Sequence, residues 1–206
     1  TGLAGLSFAG MRFGIWRGNT KVREYHGDVL ITHHGLSGPG IFDASRDILA
    51  GDEIRLAFAG TMRRDELSRD LLLYATGNPN QLVRTVLARY HIPERLVRIL
   101  ARLTGIPDGL TCAHLSAALR SELARNCTEF PLTISSPGGF DIAMATRGGI
   151  ALEAVNHKTM ESTIISGLFF AGEVLDIDGD TGGYNLQAAF STGHLAAQGI
   201  RKRMNH

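Results

Sequence analysis

The sequence predicts a mixed α+β / α/β chain, and three observations carry that prediction. Stretches of strand-like composition open the chain, a long segment of helical periodicity follows, and strand-like stretches then return ahead of one last helix. Glycine-spaced turns sit at the junctions between apolar runs and helices. The chain is long enough, at 206 residues, to bury a real core in one large domain or two modest ones.

Residues 1–61 read as β-rich. "MRFGIW" and "KVREYHGDVLITHH" alternate as strands do, and Gly18-Asn19 between them suits a turn. In "GLSGPGIFDASRDIL", Ser37 is placed to cap a short helix and Pro39 to occupy its first turn. "IRLAFA" then reads as a further strand. Residues 62–126 change to helical spacing. Leu67, Leu71 and Leu72 mark one face, and Leu82, Val83, Val86 and Leu87 mark the next. Pro79 and Pro93 punctuate helix starts, and Thr111 is placed to cap a helix through Leu115, Leu119 and Leu123. A returning strand is expected over 129–136. Beyond it, "FDIAMATRGGIALEAV" and "GLFFAG" read as strands, and a final helix runs from about Gly183 to Arg203. The expected division is therefore 1–137 and 138–206. Some seventy residues with so few strands and one helix make a poor independent α/β domain, so the second part is expected to need a partner segment.

Composition excludes several classes. A net charge of +1 argues against a nucleic-acid surface or an anionic membrane. The basic residues are uneven, however: residues 62–104 hold eight Arg against four acids. An Arg-rich helical face docking a protein or nucleic acid is thus the alternative to a catalytic reading, with simple solvation the plainer explanation. Cys112 and Cys127 lack CxxC spacing and point to a reduced, cytoplasmic pair. No apolar run reaches the ~20 residues that span a bilayer. The first residues lack a secretory pattern and an initiator Met, and read as a strand entered midway, so a longer parent protein is expected.

The chemistry concentrates in "GLFFAGEVLDIDGDTGGYNLQAAFSTGHLA". A strand ending at Gly172 lets a ligand or another backbone approach, since no Cβ intervenes. Glu173 can accept hydrogen bonds from sugar or ribitol hydroxyls. Thr181 is placed to cap the coming helix, and Gly182 and Gly183 leave amides open on its first turn. Those amides, with the positive helix end, favour an anion or an electron-rich carbonyl. Asp176, Asp178 and Asp180 do not form a calcium loop, because Gly179 precedes the third acid and Leu186 stands where the closing acid belongs. No metal site is expected.

This stretch, with "ATRGGIALEAVNHKTMES" and "ITHHGLSGPGIFDAS", resembles the FAD-dependent oxidoreductases of the BaiN-like, aminoacetone-oxidase-type flavoprotein family. The three motifs occur in the same order. The resemblance covers nearly the whole chain, most closely from Phe140 onward and only weakly through the helices. It implies a two-part, Rossmann-like FAD/NAD(P)-binding domain interrupted by an insert, with 1–137 as the insert and 138–206 as the C-terminal return. By the same resemblance Gly172 and Glu173 sit near the ribitol and pyrophosphate. Thr181, Gly182, Gly183, Tyr184, Asn185 and Leu186 face the pyrimidine end of the isoalloxazine, and Gly148 and Gly149 lie close to the flavin. His33 occupies the family's histidine position, facing flavin or substrate as an acid or hydrogen-bond donor. The implied activity is hydride transfer on a small organic substrate, with NAD(P)H as a second cofactor. The family's opening G-x-G-x-x-G is not found here, since "GLSGPG" has the wrong spacing. The FAD site is therefore expected to be incomplete without an N-terminal half, in the same or another chain.

Overall fold

Two long strands set the frame of the first unit. In the computed structural model, which describes residues 2–205, β1 (Ser7–Arg17) and β2 (Thr20–Ile31) pair antiparallel through the turn at Gly18-Asn19. Met11, Phe13 and Ile15 alternate into the core while Arg12 and Trp16 face away from it. β3 (Leu36–Ser37) pairs with the end of β2 and β4 (Glu53–Leu56) with β1. β5 (Phe130–Thr133) closes a five-stranded antiparallel sheet of order β3-β2-β1-β4-β5.

Between β3 and β4 lies α1 (Pro39–Ala44), with Pro39 at its start. Its N-cap is Gly38 rather than Ser37, which is taken up in β3 pairing with Leu30. The glycines of "GLSGPG" serve close packing. A Cβ on Gly40 would lie 2.8 Å from the backbone of Gly27, and one on Gly38 would lie 2.6 Å from the Asp28 carbonyl oxygen.

The helical cluster comprises α2 (Arg64–Gly77), α3 (Val83–Leu87), α4 (Glu94–Thr104) and α5 (Ala117–Thr128). α5 packs against α2, α4, β4 and β5. α4 puts Leu96, Val97, Leu100 and Ala101 inside and Arg95, Arg98 and Arg102 outside, the i, i+3, i+4 pattern of an amphipathic helix. Thr111 does not cap α5. It precedes a short 3-10 turn and bonds His114, and Ser116 caps α5 by accepting from the Leu119 amide at 3.2 Å. Cys112 and Cys127 are buried free thiols.

The chain divides into two units, Thr1–Pro137 and Gly138–His206. The second departs from expectation. Among its described residues neither "FDIAMATRGGIALEAV" nor "GLFFAG" forms a ladder. They run as 3-10 turns and loops joined by isolated bridges, Ile150 with Leu175, Val155 with Ser162 and Glu161 with Phe169. A strand needs a neighbour for its amides and carbonyls, and these segments find only scattered partners in the unit. The final helix does form: α6 spans Tyr184–Met204. Its inner face seats Ala196 and Gly199 on a small core with Val155, Met160 and Leu175. A Cβ on Gly199 would come within 2.4 Å of the Thr159 carbonyl oxygen. Beside this face runs a second apolar stripe, in which Leu186 and Phe190 are 66% and 74% exposed and Met204 is 81% exposed. No helix among the described residues is long and apolar enough to cross a membrane.

Candidate functional site

The glycine turn at Thr146–Ile150 is clamped onto the loop that follows the "GLFFAG" run. Glu173 Oε1 accepts from the Thr146 amide at 2.9 Å and from its hydroxyl at 3.0 Å. Asp176 Oδ1 accepts from the Gly148 amide at 3.1 Å, and Asp178 Oδ2 lies 4.0 Å from Arg147 Nε. The backbones then join in parallel, Ile150 N to Val174 O at 2.8 Å and Asp176 N to Ile150 O at 3.0 Å. Three of the four acids that stood out in the sequence are thus spent on this turn. The amide and hydroxyl of Thr146 hold the Glu173 carboxyl below its ordinary range.

The glycines divide by purpose. Gly149 is required by chain packing, since a Cβ there would sit 2.5 Å from the Val174 carbonyl oxygen. Gly148 has φ +95° and Gly183 φ +92°, conformations that favour glycine, and nothing would lie within 4 Å of a Cβ at either. Gly172, at φ +76°, donates its amide to the Thr192 hydroxyl at 2.9 Å and so ties the loop to α6.

Thr181 does not cap α6, whose N-cap position is Gly183. Asn185 bonds backward instead, accepting from the Gly179 amide at 2.8 Å and donating to the Gly179 carbonyl at 3.1 Å, which fixes the approach to the helix. The first i→i−4 bond of α6 is Gln187 N to Gly183 O at 2.9 Å. The amides of Tyr184, Asn185 and Leu186 precede it and have no partner within the helix. A Cβ on Gly182 would lie 3.5 Å from the Tyr184 ring, and the Tyr184 and Leu186 side chains are largely exposed. This helix start can hold an anion or a carbonyl oxygen that gains charge.

His33 stands in the first unit, exposed in the turn Thr32–Gly35 at the end of β2, where the Thr32 hydroxyl bonds the surrounding backbone. The other site candidates all belong to the second unit. From sequence Thr146 stood out only as the first residue of the turn Thr146–Ile150, and Thr192 not at all. Their signal was weak, since a Thr beside Arg or in mid-helix has many ordinary uses.

Comparison with known proteins gives the same family. A model for the HI0933-like protein Rossmann domain matches residues 68–199. The chain belongs to this HI0933-like family. Its match begins in α2 and runs through most of α6, so it takes in the helices where the motif resemblance was weakest. A 3-dehydro-bile acid delta(4,6)-reductase of Clostridium scindens is 31% identical over 90% of this chain and 47% of its own length. A ribosomal RNA dihydrouridine synthase of Escherichia coli is 32% identical over 84% of the chain and 42% of its own length. The namesake synthase of Haemophilus influenzae is 28% identical over 88% and 44%. The chain therefore spans about half the length of these curated relatives of the HI0933-like family.

Proposed function

We propose that this chain is part of an FAD-dependent oxidoreductase, with residues 138–206 forming one side of a two-part flavin domain and residues 1–137 inserted into it. The reading rests on one arrangement. In a clamped glycine turn and at the open start of a 21-residue helix, a Cβ on Gly148 or Gly183 would meet nothing within 4 Å. Such clear backbone is where a planar ring or a pyrophosphate can approach closely. FAD, when bound, supplies hydride transfer. The chain's own part is to position and polarise. The amides of Tyr184, Asn185 and Leu186 stabilise negative charge at a carbonyl or ring edge, and the Thr146–Glu173 tie keeps the turn in place. In this reading Glu173 spends Oε1 on the turn, so ribitol contacts fall to Oε2.

The site is completed by an N-terminal half that carries the dinucleotide-binding strand and glycine loop. Two observations support that partner. The chain covers only about half of its relatives' length. In addition, α6 presents a second apolar face, Leu186, Phe190, Gly193, Ala197, Ile200 and Met204 at helical spacing, beside the face already used by its own core. NAD(P)H is the proposed electron donor and a small organic molecule the acceptor. His33 is the proposed proton donor or hydrogen-bond donor to that acceptor.

Reconstitution tests the reading. The purified chain is mixed or co-expressed with the N-terminal half and titrated with FAD, following flavin fluorescence and absorbance. Stoichiometric uptake only in the presence of both halves supports it. No uptake in a stably associated pair overturns it.

A further inference from the structure

The side of the sheet turned away from the core carries a cluster of cations, none of them among the residues assigned to the flavin above. Glu24 on β2 lies at its centre. Arg12 Nη1 lies 3.7 Å from Glu24 Oε2, Arg63 Nη2 lies 3.7 Å and His26 Nε2 3.9 Å from Oε1, and Lys21 is bonded directly to Oε2. Three permanent cations and one imidazole therefore meet a single carboxylate. Only the Lys21 contact is tight; the others are too long to be hydrogen bonds and leave donors unspent. Arg12 is held nearly inside the protein, its side chain 11% exposed, with Nη2 donating to the Met62 carbonyl at 3.2 Å and Nε buried without a partner. Against the one Glu24 carboxylate stand three permanent cations, so the cluster keeps an excess of positive charge that suits a further anion.

The only tryptophan of the chain lies next to this cluster. β1 and β2 pair Trp16 with Lys21, Gly14 with Glu24 and Arg12 with His26, so these residues occupy neighbouring rows on one face. The absent side chain at Gly14 makes room: a Cβ there would meet Trp16 Nε1 at 3.2 Å and Lys21 Cε at 3.3 Å. The Arg55 guanidinium from β4 stacks on the indole, 4.0 Å from its ring centre.

We propose that Arg12, Lys21, His26 and Arg63 bind a nucleotide phosphate, with Trp16 beside it as an aromatic surface for the base. The phosphate is supplied either by a polynucleotide strand or by a free nucleotide. Guanidinium groups suit phosphate oxygens, and an adjoining aromatic ring suits a base.

Trp16 is its own reporter. The full chain is titrated with three probes, a single-stranded oligoribonucleotide, a nucleoside monophosphate and inorganic phosphate, and Trp16 fluorescence is followed. Saturable quenching is expected, weakened about tenfold or more in Arg63→Glu and in Lys21→Glu and unchanged in Arg95→Glu on α4. If the strand is the source, the oligonucleotide binds tightest, and each charge reversal flattens the dependence of log Kd on log salt by roughly one contact or more. If a free nucleotide is the source, the monophosphate competes on equal terms. No saturable change with any probe, or a change that both charge reversals leave intact, overturns the site.

Discussion

Glu173 and Thr146 are joined twice through one oxygen, Oε1, which takes both the amide and the hydroxyl of Thr146. The two residues are 27 positions apart, and their contact fixes the glycine turn to the loop ahead of α6. The Thr146 amide, and after it the hydroxyl, lower the Glu173 pKa. A carboxyl whose folded pKa is lowered contributes above its unfolded value, about 4.3 for free Glu, and loses that contribution as pH falls through the folded value. The Thr146 amide resonance should therefore stay constant from neutral pH to about 5 and shift at lower pH. Glu173→Gln should abolish the titration. A Thr146 shift that persists in Glu173→Gln would assign the tie to another group.

Gly148 and Gly149 separate packing from ligand approach. Gly149→Ala puts a Cβ 2.5 Å from a backbone oxygen, so it should destabilise the second unit whether or not FAD is present. Gly148→Ala meets no atom and carries only the strain of its positive φ, about 1–3 kcal/mol. In the reconstituted protein Gly148→Ala should weaken FAD binding by more than it lowers the melting temperature of the ligand-free form. Equal losses in the two variants, measured by calorimetry and FAD titration, would remove Gly148 from the site.

Asp52 gives the first unit its own acid response. Its side chain is 2% exposed and takes a fork from Arg17, Nε at 2.8 Å and Nη2 at 2.9 Å, together with the Leu49 amide at 2.8 Å. The Arg17 hydrogen bond, outweighing desolvation, lowers its pKa. Its stabilisation is complete above the range of free Asp, about 3.9, and disappears as pH falls through the lowered folded value. Asp52→Asn should reduce stability at neutral pH and flatten its decline in acid. Denaturant melts at several pH values check this, and parallel curves for both proteins would contradict it.

Much of the first unit was legible because its signals are local. The alternation of Met11, Phe13 and Ile15 and the i, i+3, i+4 spacing of α4 depend on neighbours close in sequence. Caps were misread at Ser37, Thr111 and Thr181, because the same residue types also pair in strands, turns and loops. The second unit misled more deeply. Its apolar runs have strand composition, but a ladder is a relation between segments, and composition is silent about whether a neighbour is present. The partners of Glu173, Asp176 and Asp178 were hidden, because nothing local reveals that Thr146, Arg147 and Gly148 come back to meet them. The cation cluster around Glu24 was likewise hidden, since the eye falls on the Arg-dense helices while the sheet gathers Arg12, Lys21, His26 and Arg63 from separate segments.

The outer stripe of α6 makes the partner hypothesis testable without flavin. Phe190 is 74% exposed, so Phe190→Asp removes nothing from the core of its own unit and should leave the chain's unfolding free energy within about 0.5 kcal/mol of the parent. Against an N-terminal half that covers the stripe, the same change buries a carboxylate in an apolar contact and should raise the dissociation constant of the two halves at least tenfold. Ala196→Asp serves as the contrast. Ala196 is 7% exposed on the inner face, so an acid there should unfold the second unit before any partner is added. Sedimentation of the two halves together, with circular dichroism of each chain alone, reads both outcomes. A Phe190→Asp chain that associates as tightly as the parent would show that the stripe faces solvent in the complete protein, and the second half of the site would have to be sought on another surface.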